Sequence, residues 1–458
     1  MTVSDPAGAH AQPQPSSSGG QRRLAYTSSL LGSAIEYYDF LIYSTAAALV
    51  FGPVFFPSED SGIGVVSSFS TLAVGYVARP LGGLLFGHWG DRVGRKSALI
   101  TTLVAMSVAT VLIGVLPSHA VAGPFGAIAL VVLRLVQGVA VGGEWGGSVL
   151  ITVEHATPRR RGFLGSATSL GATVGIIVST GAFAALNGLD QADFLSWGWR
   201  IPFLATVALL ALGLVMRLRL EESPAMVAAR RDGTTVRRLS IIEVFQTMPG
   251  RTVLAIGVFL GPFAVQAIMT TFAVTYAVTT VAAPRQLYLN AILAMGFVQL
   301  ATIPLFGWLS DRCGRKPVYV TAVVLMLASV ALLFPTISAG GAGLVVTLYI
   351  VHLGVLHGAA IAVVPTLLAE VFPVAIRYTG ISVAYQGAAV VGGGLFPLAA
   401  ASLATGAAAA AWITVLMLAG VVVSSVCALL VQPGRVDRPS VGADGGDRRV
   451  AKADGVQA

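Results

Sequence analysis

Five ionisable residues lie inside long apolar stretches of this chain, and their types and spacing could do chemistry: Glu36, Asp39, Arg79, Arg134 and Glu144. A charge in hydrocarbon is costly, so each is read as functional unless a partner explains it. Three acids stand against two bases, so one carboxylate is left over when each arginine is paired. Burial favours the neutral form of an unpaired carboxyl, and a carboxyl that changes state near neutral pH can load and release a proton. Glu36 and Asp39, three residues apart, share one helical face, with Tyr43 four residues further on. Two close carboxylates bind protons as a unit. Asp39 is the first candidate for a proton carrier, Glu36 the second and Glu144 the third. The bland alternative is that these acids only brace neighbouring helices.

Arg134 and Gln137 also share a helical face. Glu144 lies ten residues beyond Arg134, about 15 Å along a helix, so the two do not pair directly. Arg134 is therefore available to an acid of the first apolar stretch or to an anionic ligand, for which a guanidinium fork suits a carboxylate. A purely structural ion pair is an equal alternative. Arg79 stands twelve residues before Asp91, about 18 Å inward, and has the same two roles open to it. Pro80 beside it is expected to kink the helix. Tyr43, Gln266, Tyr276 and Tyr385, together with Gln299 and Gln386, are uncharged polar groups at similar depth that could line a cavity. His352 and His357 stand five apart, which on an α-helix turns them to different faces. They read as packing or weak ligand contacts. Glycines 138, 142, 143, 146 and 147 read as a small-residue seam for close helix packing.

The elements that hold these residues are membrane spans. Apolar residues make up 55% of the 458 residues and charged ones only 10%, too few to cover a soluble surface. Twelve stretches reach the roughly 20 residues needed to cross a bilayer. They begin near Tyr26, Val65, Ala98, Phe125, Phe163, Trp199, Val253, Leu287, Pro317, Gly341, Tyr378 and Ala407. Of the 28 Lys and Arg, 24 fall in the tails and the even-numbered loops, which predicts that both termini are cytoplasmic. The net charge of +8 is thus spent on topology, and nucleic-acid binding is rejected. Residues 1–23 and 432–458 read as disordered cytoplasmic tails, 24–219 and 252–431 as two six-helix bundles, and 220–251 as a central cytoplasmic loop. Cys313 and Cys427 give neither a disulfide framework nor a metal site. No phosphate-binding glycine loop or metal-ligand cluster is present in the sequence, so no cofactor and no enzymatic activity are expected.

An internal repeat organises the chain. Gly87-His-Trp-Gly-Asp91-Arg92-Val-Gly94-Arg95-Lys96 recurs 220 positions later as Gly307-Trp-Leu-Ser-Asp311-Arg312-Cys-Gly314-Arg315-Lys316. Glu154, Pro158, Arg161 and Gly162 are matched by Glu370, Pro373, Arg377 and Gly380. Two matched halves imply a bundle pair around a central cavity. The decamers resemble the loop signature of the major facilitator superfamily. Gly32-Ser-Ala-Ile-Glu36-Tyr37-Tyr38-Asp39-Phe40, Arg79-Pro80-Leu-Gly82-Gly83, Arg134-Leu-Val-Gln137-Gly138, Gly142-Gly143-Glu144-Trp145, Trp199-Arg200-Ile-Pro202-Phe203 and Glu221-Glu222-Ser223-Pro224 narrow the resemblance to the metabolite:proton symporter family.

That resemblance implies an all-α membrane protein of twelve transmembrane helices, two six-helix halves in a major-facilitator architecture. It implies a symporter that uses proton flow to import a small organic acid across the cytoplasmic membrane, its partners being substrate, proton and bilayer, acting as a monomer. An osmolyte symporter for proline or betaine, or an antiporter or uniporter for a metabolite or drug, stays open beside it. It also implies a latch in which Asp91, Arg92, Gly94, Arg95, Glu154, Arg161, Glu221 (or its neighbour Glu222), Asp311, Arg312, Arg315, Glu370 and Arg377 tie the halves together on one face. The bland alternative is a set of exposed salt bridges of little worth.

Overall fold

The computed structural model describes residues 18–57, 61–186, 188–231, 240–403 and 408–432, and among these the regular structure is helical throughout. The tails expected up to residue 17 and from 433 lie outside the described residues. Six long helices make the first half: α1 Gly19–Leu49, α2 Ser61–Arg92, α3 Arg95–Gly114, α4 Phe125–His155, α5 Pro158–Ala184 and α6 Gln191–Arg219. Six make the second: α7 Pro249–Thr270, α8 Gln286–Cys313, α9 Arg315–Ser338, α10 Ala342–Ala369, α11 Val374–Leu403 and α12 Ala409–Leu430. Helices close every backbone hydrogen bond within the segment, which a lipid-embedded chain requires.

Among the described residues, ten of the twelve are recognised as spans on hydropathy alone. α1 and α2 are long enough as well, at 31 and 32 residues, and they carry Glu36, Asp39 and Arg79. α1 starts earlier than expected: Ser18 Oγ accepts the Gln21 N–H at 3.2 Å, so residues 19–23 are helix and not tail. α2 runs through Pro80 as one continuous helix.

The repeated loops reverse the chain on glycine. Gly94 has φ 126° and Gly314 φ 91°, with ψ near 150° in both, a region open in practice only to glycine. Each starts the next helix directly, so α2–α3 and α8–α9 are tight hairpins at the end of the molecule that carries Arg95, Lys96, Arg315 and Lys316. We call this the basic end.

Polar layers divide the apolar core of the first half. One apolar cluster includes Ile42, Ile113, Leu130 and Phe203, a second Ile35, Met106 and Val141, and a third Ala25, Leu99, Ile151 and Leu220. Between the first and second lie Asp39, Thr110, Arg134 and Thr206; between the second and third lie Thr102, Glu144 and Arg217. In the second half one cluster runs on without such a break, and it takes in Trp145, Val149 and Val153 of α4. The halves meet chiefly where α2 packs on α11 and α5 on α8.

Candidate functional site

The outer polar layer is built by four helices. Asp39 of α1 is 1% exposed. Its Oδ2 accepts the Thr110 hydroxyl of α3 at 2.9 Å, and its Oδ1 the Thr206 hydroxyl of α6 at 3.0 Å. Gln137 Nε2 donates to Thr110 Oγ1 at 2.7 Å, and Arg134 Nη1 donates to Gln137 Oε1 at 3.3 Å. Carboxylate and guanidinium are thus joined through two neutral side chains rather than paired. The Arg134 guanidinium lies 4.0 Å from the Tyr43 ring centre and 5.1 Å from that of Phe40. Arg79 stacks on the same Phe40 at 4.6 Å and on Tyr76 at 4.8 Å. Gly75 leaves the room that Arg134 occupies, since a Cβ there would collide with its Nε. Tyr43 Oη donates to Thr71 at 2.6 Å. Asp39, Phe40, Arg79, Arg134 and Gln137 line a cavity of about 10 Å³. That is room for about one water molecule, whereas small-molecule pockets measure hundreds of Å³. In this conformation the space beside Asp39 is far too small for a metabolite.

Below it the expected charge count changes. Glu144 is in a buried ion pair with Arg217 of α6, and its Oε2 accepts the Thr102 hydroxyl at 2.7 Å. Arg217, counted from sequence among the Lys and Arg of the tails and even-numbered loops, is 1% exposed and also donates to the Leu99 carbonyl. The tally at membrane depth is therefore three acids and three bases, and Glu144 is not the unpaired acid. Glu36 fits that description better: it is 2% exposed and its Oε2 has no hydrogen-bond partner among the described residues.

At the basic end each repeated aspartate caps a helix of the opposite half. Asp91 accepts the backbone N–H groups of Tyr378 and Thr379, both at 3.0 Å, and the Thr379 hydroxyl at 2.8 Å. Asp311 accepts those of Gly162 at 2.7 Å and Phe163 at 2.9 Å. Free N–H groups and the helix dipole favour an anion at both places. Arg95 lies 3.5 Å from Asp91 and 3.4 Å from Glu154, and donates to the Val374 carbonyl. Arg315 repeats this with Asp311 at 3.0 Å, Glu370 at 3.3 Å and the Pro158 carbonyl. Glu154 also reaches Arg377 across the halves at 3.4 Å.

Several latch expectations need correction. Arg92 is exposed, and Arg312 is turned onto the Trp308 ring at 4.0 Å. Glu221 is exposed as well. The acid in the cluster is its neighbour Glu222, which accepts the Arg95 N–H at 3.0 Å and the Lys96 N–H at 3.3 Å at the start of α3. No correction applies to Arg161, whose carbonyl takes the Thr366 hydroxyl at 3.0 Å.

The glycine seam splits between two neighbours. Gly138, Gly142 and Gly143 face α2, while Gly146 and Gly147 face α11, where with Gly90 they cradle the fully buried Tyr378 ring. Tyr378 Oη donates to the Gly143 carbonyl at 2.8 Å. Further from the basic end, Tyr385 stacks on Trp145 at 3.9 Å and its hydroxyl lies 3.2 Å from that of Tyr37, so aromatic rings close the space between the halves. Gln386 Nε2 donates to the Gly142 carbonyl at 3.1 Å.

On the other flank the Thr173 hydroxyl donates to Gln299 Oε1 at 2.9 Å, and Gln299 Nε2 lies 3.4 Å from His357 Nδ1. Residues Ile350–His357 form wide turns bonded i to i+5, which return positions five apart to one side. His352 and His357 therefore share a face after all, and His352 Nδ1 meets Ser329 Oγ at 2.5 Å. Tyr276 is not brought to the interface: it packs on Phe272 and Phe334 inside the second half, with Ser338 Oγ at 3.4 Å. Gln266 is half-buried on α7, its carbonyl taking the Thr270 hydroxyl. Sequence reasoning missed Arg217, Thr110, Thr206 and Tyr378, none of which carried a signal for these roles, whereas Glu222 was named as the alternative to Glu221.

The profile described as "Sugar (and other) transporter" matches residues 24–239, and that of the Major Facilitator Superfamily matches residues 254–454. The shikimate transporter of Escherichia coli K12 is 38% identical over 90% of this chain and 94% of its own. The proline/betaine transporter of Salmonella typhimurium LT2 is 31% identical over 84% of this chain and 78% of its own. Among solved structures, the proton:xylose symporter XylE bound to 6-bromo-6-deoxy-D-glucose superposes with a TM-score of 0.70 at 19% identity, covering 90% of this chain and 95% of that one.

Proposed function

Because this chain belongs to the major facilitator superfamily, among its shikimate, metabolite and proline/betaine transporters and not among enzymes, we propose that it is a proton-coupled symporter importing a small carboxylate. The observation that carries this reading is the chain Asp39–Thr110–Gln137–Arg134. Neutral links let Asp39 change charge without breaking an ion pair, and a water-sized cavity at its side gives a proton a way in. A carboxylate drawn to Arg79 would lie next to Arg134, since both guanidinium groups stack on Phe40. The basic end then faces the cytoplasm, as the positive-inside rule requires. The ties at Asp91 and Asp311 hold that side shut, and their release opens it.

The Salmonella proline/betaine relative favours a second reading, a zwitterionic osmolyte held by aromatic rings. Proteoliposomes offered shikimate, proline or glycine betaine distinguish the two, with external pH recorded. The first reading expects shikimate-driven alkalinisation outside, and Asp39→Asn to abolish uphill accumulation while counterflow persists. Uptake without proton movement, or wild-type accumulation by Asp39→Asn, would remove proton coupling through this residue.

A further inference from the structure

Two buried charge systems lie one above the other in the first half, and the mechanism proposed so far uses only the outer one. The inner one is Glu144–Arg217, with Thr102 and the Leu99 carbonyl completing its hydrogen bonds. Such a pair is costly to assemble in a membrane interior, and apolar residues of like volume would often serve stability as well. Gly32 makes it possible: a Cβ there would collide with Arg217 Nη2 and stand 2.9 Å from Glu144 Oε1. The pair therefore reaches the surface of α1 one helical turn below Glu36, about 6 Å along the axis. Glu36 in turn stands one turn below Asp39 and keeps an oxygen with no hydrogen-bond partner among the described residues.

The groups that face Glu36 can be named helix by helix. Arg79 comes from α2, Glu144 from α4 and Arg217 from α6; Tyr37 is its neighbour on α1, and Tyr385 approaches from α11. α5, which packs along α1, carries no ionisable side chain across Ala167–Ala184. α3 carries only Arg95 and Lys96 at its basic end. From the neighbouring helices two guanidinium groups and one carboxylate thus act on Glu36, beside Asp39 on its own helix, and Glu144 offsets one of the two.

We propose that Glu144 and Arg217 are positioning residues for proton transfer, a dipole held against α1 through the gap at Gly32 that sets whether Glu36 keeps or gives up its proton. This rests on the coupling reading above and adds a second station to it. A proton entering beside Asp39 passes to the Glu36 carboxylate, which becomes a neutral carboxyl, and leaves it when the inner side opens. A brace between α4 and α6 would have no effect on Glu36.

Infrared difference spectroscopy of the purified full-length protein in nanodiscs tests this without a substrate, with pH as the variable. The Glu36 signal is the protonated-carboxyl band that Glu36→Gln removes. Arg217→Gln takes away a positive neighbour and should move the appearance of that band to higher pH. Glu144→Gln leaves a positive charge unopposed and should move it to lower pH. Each shift is expected to be at least about one pH unit, tenfold in proton affinity. The double variant should return close to wild type, and Arg217→Lys, which keeps the charge, should barely move it. These last two keep the test open if a single neutralisation does not fold. An unmoved band in all variants, or no Glu36-dependent band, would overturn the proposal. Proton-driven uptake that survives Glu36→Gln despite the expected shifts would instead refute the use of Glu36 in coupling and leave the electrostatic link standing.

Discussion

Replacing Gly90 by alanine puts one methyl group into space now held by the Tyr378 ring. The added Cβ would overlap Cδ1 and Cε1 of that ring. The ring has nowhere to go, because Gly146 and Gly147 back its other side, its hydroxyl is bonded to the Gly143 carbonyl, and its N–H is bonded to Asp91. Overpacking a tight site costs about 1–3 kcal/mol. The cost falls on the conformation closed at the basic end and not on one in which α11 has moved off α2. The equilibrium should therefore shift toward opening by about 5- to 150-fold. Spin labels placed on α2 and α11 at the basic end, with Cys313 and Cys427 replaced by serine, would report this as a longer-distance population. Tyr378→Ala removes the object of the collision, so Gly90→Ala added to it should cause almost no further change. Additive effects of the two substitutions, or an unchanged distance distribution in Gly90→Ala, would refute the reasoning.

Other outcomes follow from the same geometry. Asp91→Asn keeps one acceptor oxygen but sets an amide N–H against a backbone N–H donor of Tyr378 or Thr379, and should lower turnover at least about tenfold with little change in substrate affinity, as steady-state uptake would show. Arg134→Lys keeps the charge and loses the fork, so carboxylate affinity should fall about tenfold; unchanged affinity, with a neutral compound as the best substrate, would contradict an anion site. Glu222→Gln should lower the melting temperature by roughly 2–4 °C per kcal/mol lost at the start of α3, whereas Glu221→Gln should leave it unchanged.

The helices that hold the site were legible because a hydrocarbon solvent allows few alternatives, and the repeated loops marked the two halves. Asp39, Glu36 and Arg134 were legible for the same reason, as charges where charges are expensive. Arg217 was not. Two residues from the end of α6, it has the sequence environment of a loop arginine, and only the approach of Glu144 through the gap at Gly32 draws it inward. Thr110 and Thr206 were hidden because threonines are common in spans and their hydroxyls usually bond within their own helix. The histidines were misplaced because five residues were counted on an α-helix, and no local feature announces that Ile350–His357 turns more widely. Tyr378 had the opposite difficulty: glycines at 146 and 147 showed that something packs closely, but not from which half.

The balance of Glu36, Asp39 and Glu144 against Arg79, Arg134 and Arg217 bears on how the membrane potential acts on the carrier. With both proton carriers deprotonated these charges sum to zero, and the empty protein can reorient without moving net charge across the field. If one proton and one monoanion are bound, the sum is still zero, and the potential does no work on the loaded step either. A zwitterion carried with a proton leaves one positive charge in the field, worth about 2.3 kcal/mol for each 100 mV. The two substrate classes would thus differ in electrogenicity even if they entered by the same path: a carboxylate would be driven by the pH gradient alone, an osmolyte by the pH gradient and the voltage together.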